Sequence, residues 1–204
     1  MTDKFADYSR IEPLLRDVTL PKMFRVTQTF PRERIENVAE ETRRQLLNAR
    51  VTEKIRPGMT VAVTGSSRGI ANMNVILREV VAFLKEAGAK PFIIPAMGSH
   101  GGATAEGQAQ VLCSYGITEE FCGCPICSSM ETVHLGNVTD DDQVLPVYID
   151  RFAWEADGIV VVNRIKPHSA FRGPCESGLT KMLCIGLGKQ KGADSLHPQQ
   201  RKGL

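Results

Sequence analysis

Hydrophobic residues along the chain follow two patterns, short continuous runs and stripes at helical spacing. Residues 59–63, 90–95 and 158–162 are apolar runs of strand length. Between the first two runs, residues 72–87 repeat apolar side chains on one helical face and stop at Gly88, a residue typical of helix C-termini. This strand, helix, strand order predicts a βαβ unit with parallel strands and a right-handed connection.

Weaker patterns predict the remaining elements. These are helices over residues 31–49, 105–115 and 151–156, short strands over 132–135 and 145–149, and a last helix that starts near Ser177. The other residues of the segment 117–143 show no regular period. We therefore predict an α/β fold with an open, mostly parallel or mixed sheet and flanking helices.

Three loops follow the three apolar runs, at residues 64–70, 98–103 and 163–178. The carboxyl ends of parallel strands share one edge of an open sheet, so these loops are expected to converge there although they are distant in sequence. The sequence thus predicts a candidate site at that edge.

Composition excludes several classes of protein. The chain has 204 residues, 42% of them hydrophobic, which is enough for one sizeable core. The net charge of +2 and an aromatic content of 6% argue against nucleic acid as a partner. The apolar runs are too short to span a bilayer, and the polar first residues carry no signal-peptide core, so we expect no membrane association and a cytoplasmic location.

The cysteines do not form a metal-binding pattern. Cys122, Cys124 and Cys127 lie close together and include one CxxC pair, but no second pair accompanies it. A zinc site would need a further ligand such as His134, whose place in the predicted strand over residues 132–135 favours a structural role. We expect neither a metal nor a disulfide at these cysteines.

Candidate chemistry is concentrated in the last third of the chain. Two of the four histidines, His168 and His197, lie on either side of Lys181. A third, His100, sits in the glycine-flanked loop GSHGG, where a bare backbone would let a ligand approach closely. Imidazoles titrate near neutral pH and also ligate metals, so these residues are the best candidates for a chemical site.

The first loop offers an alternative function. VAVTGSSRGIA resembles the phosphate-binding turn of short-chain dehydrogenases, which would make the chain a nicotinamide-dependent oxidoreductase. Ala71 stands at the third glycine position, however, and none of the three tyrosines is followed four positions later by lysine. The loop could still bind an anion through Arg68 and the backbone N–H groups of a helix start.

Four longer segments together resemble a known family. TGSSRGIAN, PAMGSHGGATAEGQ, VNRIKPHSAFRGPCESGLTKML and GADSLH are similar to the N-terminal domain of the lactate racemase family, from about residue 20 onward. The resemblance implies an isomerase, a racemase or epimerase of 2-hydroxy acids that uses a nickel-pincer nucleotide. It also implies that residues 1–204 form one domain of a two-domain fold, with a C-terminal domain outside this chain as partner.

The resemblance implies a role for each matching residue. Lys181 would form the thioamide tether to the cofactor, and Arg68, Ser177 and Gly178 would also bind it. His197 would ligate the nickel. His100 and His168 would be the two acid–base catalysts, one for each face of the substrate, in a proton-coupled hydride transfer.

Departures from the family pattern leave the substrate open. Lactate racemases carry an aspartate shortly before the arginine of the first loop, where this chain has Gly65, Ser66 and Ser67. The segment between His168 and Lys181 is also longer, with RGPCESG around the turn. Another hydroxy acid or a sugar acid is therefore as compatible as lactate. A non-enzymatic module that binds a phosphorylated ligand is the second alternative.

Overall fold

The computed structural model describes residues 12–19, 21–31, 33–140, 143–166 and 176–197. The chain divides into two units, Met1–Arg34 and Ile35–Leu204. The first contains one short helix, α1 (Glu12–Leu15), and its described residues 21–31 have no regular secondary structure. The second unit contains the sheet and the predicted site residues that the structure describes.

The second unit alternates strands and helices in the following order: α2 (Val38–Asn48), β1 (Thr60–Gly65), α3 (Met73–Glu86), β2 (Lys90–Pro95), α4 (Ala105–Ser114), α5 (Glu119–Cys122), β3 (Thr132–Asp140), β4 (Gln143–Asp150), α6 (Arg151–Glu155), β5 (Gly158–Val160), α7 (Leu179–Lys181) and α8 (Lys189–Leu196). Short 3₁₀ turns follow α2 and precede α4, and a π-helical turn, Met182–Gly186, follows α7. Among the described residues, no helix is long and apolar enough to cross a membrane.

The main sheet has three parallel strands in the order β2-β1-β5. The pairing of β1 with β2 starts at Thr60 with Lys90 and ends at Gly65 with Pro95. The predicted parallel βαβ unit is therefore confirmed, and so is the α/β class. Strands β3 and β4 form a separate two-stranded antiparallel sheet, so the main sheet itself is parallel rather than mixed.

Helix α3 covers one face of this sheet. Its apolar stripe buries Leu77 and Leu84 completely, together with Met73, Val80, Val81 and Phe83. The helix ends because Gly88 adopts a positive φ of 87°, a conformation that glycine reaches without steric cost. The Ala89 N–H donates to the Leu84 carbonyl at 3.0 Å, which closes the last turn.

Two clusters of buried side chains flank the sheet. The larger one joins α3 and α4 to the face of β1 that carries Val61 and Val63. The smaller one lies around Ala62 of β1 and Ile94 of β2, and it includes Met182 and Leu187 next to α7 and α8. Side chains of β1 alternate between these two buried clusters. Because both faces of the strand are buried, its sequence is a continuous apolar run.

Three predictions about elements are corrected by the structure. Helix α2 begins at Val38 rather than at residue 31, because the Asn37 side chain accepts the Glu40 N–H at 3.2 Å and caps the helix there. The segment 117–143 contains α5 and all of β3, although its sequence shows little period. The last helix begins after Gly178 and continues as a π-helical turn.

Candidate functional site

A cleft of about 520 Å³ opens at the carboxyl edge of the parallel sheet. It is lined by residues that follow β1, β2 and β5 and by the segment from Ser177 onward, namely Ser66, Ser67, Arg68, Gly69, Ala96, Met97, Ser99, His100, Asn163, Arg164, Lys166, Ser177, Lys181, Met182, Ile185, Gly186 and His197. The three loops predicted to converge therefore meet in one cavity.

The cleft gathers predicted site residues from distant parts of the chain. Arg68, His100, Ser177, Lys181 and His197 all line it. Gly178 is not among the lining residues but precedes α7 as its N-cap, and its carbonyl accepts the Asn163 side-chain N–H at 2.7 Å. His168 lies outside the described residues.

The charged groups of the cleft are basic. Arg68, Arg164, Lys166 and Lys181 contribute cationic side chains, and none of the described lining residues is an aspartate or glutamate. Arg164 and Lys166 thus line the same cavity as Arg68, the residue for which anion binding was considered. A cavity with this charge suits a ligand that carries phosphate or carboxylate groups.

Lys181 is half-buried at the end of α7. Partial burial lowers the pKa of its ammonium group below the ordinary lysine value, and the positive charges of Lys166 and Arg68 lower it further. A larger fraction of the amine is therefore uncharged near neutral pH than in an exposed lysine. An uncharged amine is the form that can act as a nucleophile.

His100 is held by a serine of the neighbouring loop. The Ser67 Oγ and the His100 Nδ1 are 2.5 Å apart, and the Tyr115 hydroxyl donates to the Ser67 carbonyl at 2.8 Å. Partial burial lowers the pKa of His100, and the positive charges of Arg68, Lys181 and His197 add to that effect. The neutral imidazole is favoured, with one ring nitrogen engaged by Ser67 and the other left for a ligand.

Ser67 is the site residue that sequence reasoning missed. Its loop was recognised, but only Arg68 was assigned a role there. A serine next to an arginine in a glycine-containing loop has no signature that distinguishes a hydrogen-bonding partner from an ordinary turn residue. Only the fold brings Ser67 to His100, 33 positions later in the chain.

The glycines next to His100 differ in their surroundings. Gly101 has a positive φ of 66°, and a Cβ atom there would lie 2.7 Å from the Gln108 backbone nitrogen in α4. The absence of a side chain is thus required for packing of the loop against α4. Gly102 also has a positive φ, but a Cβ atom would meet nothing within 4 Å.

The remaining candidates lie outside the cleft lining. Cys122, Cys124 and Cys127 are free thiols, and burial is the main cause that raises the pKa of Cys124 to about 11. The described residues contain no group of three His, Cys, Asp or Glu side chains that could hold a metal ion. His134 lies in β3, where it bonds to the Asn137 side chain at 3.0 Å and contacts the Tyr148 ring, as expected of a structural residue.

Comparison with known proteins identifies the family. No curated protein and no solved structure matches the chain. The family model described as the lactate racemase N-terminal domain matches residues 10–200, which is nearly the whole sequence and includes every residue of the cleft. The resemblance of the four sequence segments is therefore confirmed, and the chain belongs to the lactate racemase N-terminal domain family.

Proposed function

We propose that this domain belongs to a racemase or epimerase that inverts a 2-hydroxy acid or sugar acid with a nickel-pincer nucleotide. The observation that carries the proposal is the single cleft in which Arg68, His100, Lys181 and His197 meet. These are the residues to which the family resemblance assigns cofactor binding, catalysis and metal ligation.

The residues of the cleft fit a group of this kind. The Lys181 amine, with its lowered pKa, is suited to a covalent thioamide link. Arg68 and Lys166 are suited to the phosphate of a nucleotide, and the His197 imidazole is a donor that suits nickel. When bound, the nickel-pincer group supplies an acceptor for the hydrogen on the substrate's carbinol carbon.

The protein's own residues would handle the hydroxyl proton. If the Nδ1–H of His100 donates to the Ser67 Oγ, its Nε2 is free to take the proton from the substrate hydroxyl. The resulting imidazolium keeps the same bond to Ser67, so the ring does not need to reorient before it returns the proton. We assign the corresponding task on the opposite face of the substrate to His168.

The first loop has no room for the aspartate of lactate racemases at Gly65. Gly65 is buried at the end of β1, and a Cβ atom there would lie 2.7 Å from a Leu112 methyl group. Ser66 is also buried, with an exposed fraction of 4%. An aspartate in place of Gly65 could not enter without displacing Leu112, so the proposal covers lactate, other hydroxy acids and sugar acids alike.

Mass spectrometry after co-expression with the enzymes that make the cofactor tests the proposal. We expect a covalent adduct on Lys181, absent from Lys181→Met and retained in Lys191→Met, a matched change at an exposed lysine of α8. An unmodified Lys181 after this co-expression would contradict the racemase proposal.

The positive charge of the cleft also suits a second candidate function, a non-enzymatic module that binds a phosphorylated ligand. An unmodified Lys181 would favour that module.

A further inference from the structure

A buried lysine lies directly behind the cleft. Lys189, the first residue of α8, has an exposed fraction of 0%, as does its ion-pair partner Asp150 at the end of β4. The Lys189 Nζ and the Asp150 Oδ2 are 3.1 Å apart. A buried charged pair is costly to desolvate, so its presence calls for a specific reason.

Three oxygen atoms surround the Lys189 ammonium group. Besides Asp150, the Nζ donates to the Pro95 carbonyl at 2.5 Å and to the Gln108 Oε1 at 3.0 Å. These oxygen atoms belong to β4, β2 and α4, so one side-chain atom joins three elements. Two of the three contacts are hydrogen bonds, and the third is the ion pair with Asp150.

The ammonium group determines which way the Gln108 amide faces. Because its oxygen accepts from Lys189, the Gln108 Nε2 points the other way and donates to the Gly98 carbonyl at 2.8 Å and to the His100 carbonyl at 3.2 Å. If the Gln108 amide were reversed, its N–H groups would face the Lys189 ammonium group and its oxygen would face the two carbonyls. Neither contact could form a hydrogen bond. Lys189 and Gln108 together therefore fix the backbone on both sides of Ser99, in the loop that carries His100.

The backbone of Lys189 indicates that its side chain is needed at this place. Lys189 has a φ of 55°, in the left-handed region that favours glycine. The described non-glycine residues with positive φ are Arg50, Asn72, Ala103 and Lys189, and of these only Lys189 is fully buried. Such strain persists where the surrounding contacts require the residue.

We propose that Lys189 and Gln108 are positioning residues for His100, and that they set the place of its imidazole in the cleft through the carbonyls of Gly98 and His100. The inference rests on the proposed function only in that His100 is assigned the proton transfer there. The geometry of the loop can be measured without cofactor or turnover.

The decisive variant is Gln108→Glu, because a carboxylate still accepts from Lys189 but cannot donate to the Gly98 and His100 carbonyls. Gln110→Glu is the matched control, since it makes the same change at an exposed position of α4. Lys189→Met removes the ammonium group, and Lys191→Met is its control on α8. If Lys189→Met does not fold, Gln108→Glu still decides the question because the ion pair with Asp150 is intact.

Two measurements on the purified chain report on the loop. In Gln108→Glu, hydrogen exchange of the amides from Gly98 to Thr104 should accelerate about tenfold or more, as expected when buried hydrogen bonds are lost, while β1 and α3 stay at wild-type rates. The long-range ¹H–¹⁵N spectrum of the His100 imidazole should change from one tautomer to an averaged signal. Both controls should match the wild-type chain.

Two results would overturn the inference. One is a folded Gln108→Glu variant with unchanged loop exchange and an unchanged His100 spectrum. The other is an equal rise of exchange in β1, α3 and the loop, which would indicate general destabilisation rather than positioning. Neither readout involves Lys181, so a missing adduct on that lysine contradicts the proposed function alone.

Discussion

At the scale of single residues, the cleft changes the chemistry of two side chains through burial and positive charge. The Lys181 amine and the His100 imidazole both lose protons more readily than they would in water. In both cases partial burial is the largest cause and neighbouring cations add to it. One cluster of charges thus favours a nucleophilic amine and a neutral base in the same cavity.

The lowered pKa of Lys181 predicts how its reactivity depends on pH. For a lysine, a lower pKa means that the uncharged amine is present at lower pH, so an acylating reagent should modify Lys181 at a lower pH than a lysine of ordinary pKa. Lys166→Met removes one repelling charge, raises the pKa of Lys181, and should move the labelling curve to higher pH. Peptide mass spectrometry across a pH series measures the Lys181 labelling curves of the wild-type chain and of Lys166→Met, and coincident curves would contradict the prediction.

Ser67 gives a second prediction, about the orientation of His100. Ser67→Ala removes the partner of Nδ1, and we expect a loss of about 5-fold to 30-fold in kcat, because a hydrogen bond of this kind contributes about 1 to 2 kcal/mol. The adduct on Lys181 should be retained. Tyr115→Phe, which only frees the Ser67 carbonyl, should have a smaller effect.

Ser99→Ala is the matched control for Ser67→Ala, since Ser99 also lines the cleft and precedes His100 directly. It should leave kcat within about 2-fold of the wild-type value, the range expected for a change that removes no positioned group. Equal losses in the two serine variants would mean that the Ser67 bond does not orient the imidazole.

At the scale of elements, the loop between β2 and α4 is shaped by its contact with the helix. Gly101 and Gly102 have the same φ of 66°, yet only Gly101 faces the α4 backbone. A side chain at either position would have the cost of a left-handed conformation. Only a side chain at Gly101 would also collide with another part of the backbone.

This difference predicts unequal effects of the same substitution. Gly102→Ala should lower the free energy of unfolding by about 1 kcal/mol, the cost of a left-handed alanine. Gly101→Ala should cost at least about 2 kcal/mol more, because its Cβ atom must displace the start of α4. Urea denaturation measures both values, and equal losses would show that the loop moves away from α4 without cost.

Elements differ in how far the sequence reveals them. The parallel pair β1 and β2 and helix α3 were predicted because continuous apolar runs and one regular stripe allow a single interpretation. The full lengths of β3 and β4 were not predicted. The pairing of these two strands shifts register between His134 and Gly136, and this shift interrupts the alternation of apolar and polar residues. The start of α2 depends on the Asn37 cap, which the earlier proline obscured.

At the scale of the whole molecule, the sequence predicted those site residues that lie in family-like segments or in the loops that follow the parallel strands. The convergence of three loops followed from the rule for parallel sheets, and the cleft contains Arg68, His100 and Lys181 as expected. Lys189 and Asp150 could not be found in this way. A buried ion pair depends on two distant residues that look in the sequence like ordinary surface charges.

The central position of β1 has a consequence for the order of assembly. Strand β5 pairs with β1, and Thr60 bonds to Asp157, which is 97 positions later in the chain. Contacts between such distant residues form late in folding because the chain must first close a long loop. During synthesis, the ribosome releases Arg68 and His100 well before Lys181. The cleft is therefore complete only after Lys181 and His197 have left the ribosome.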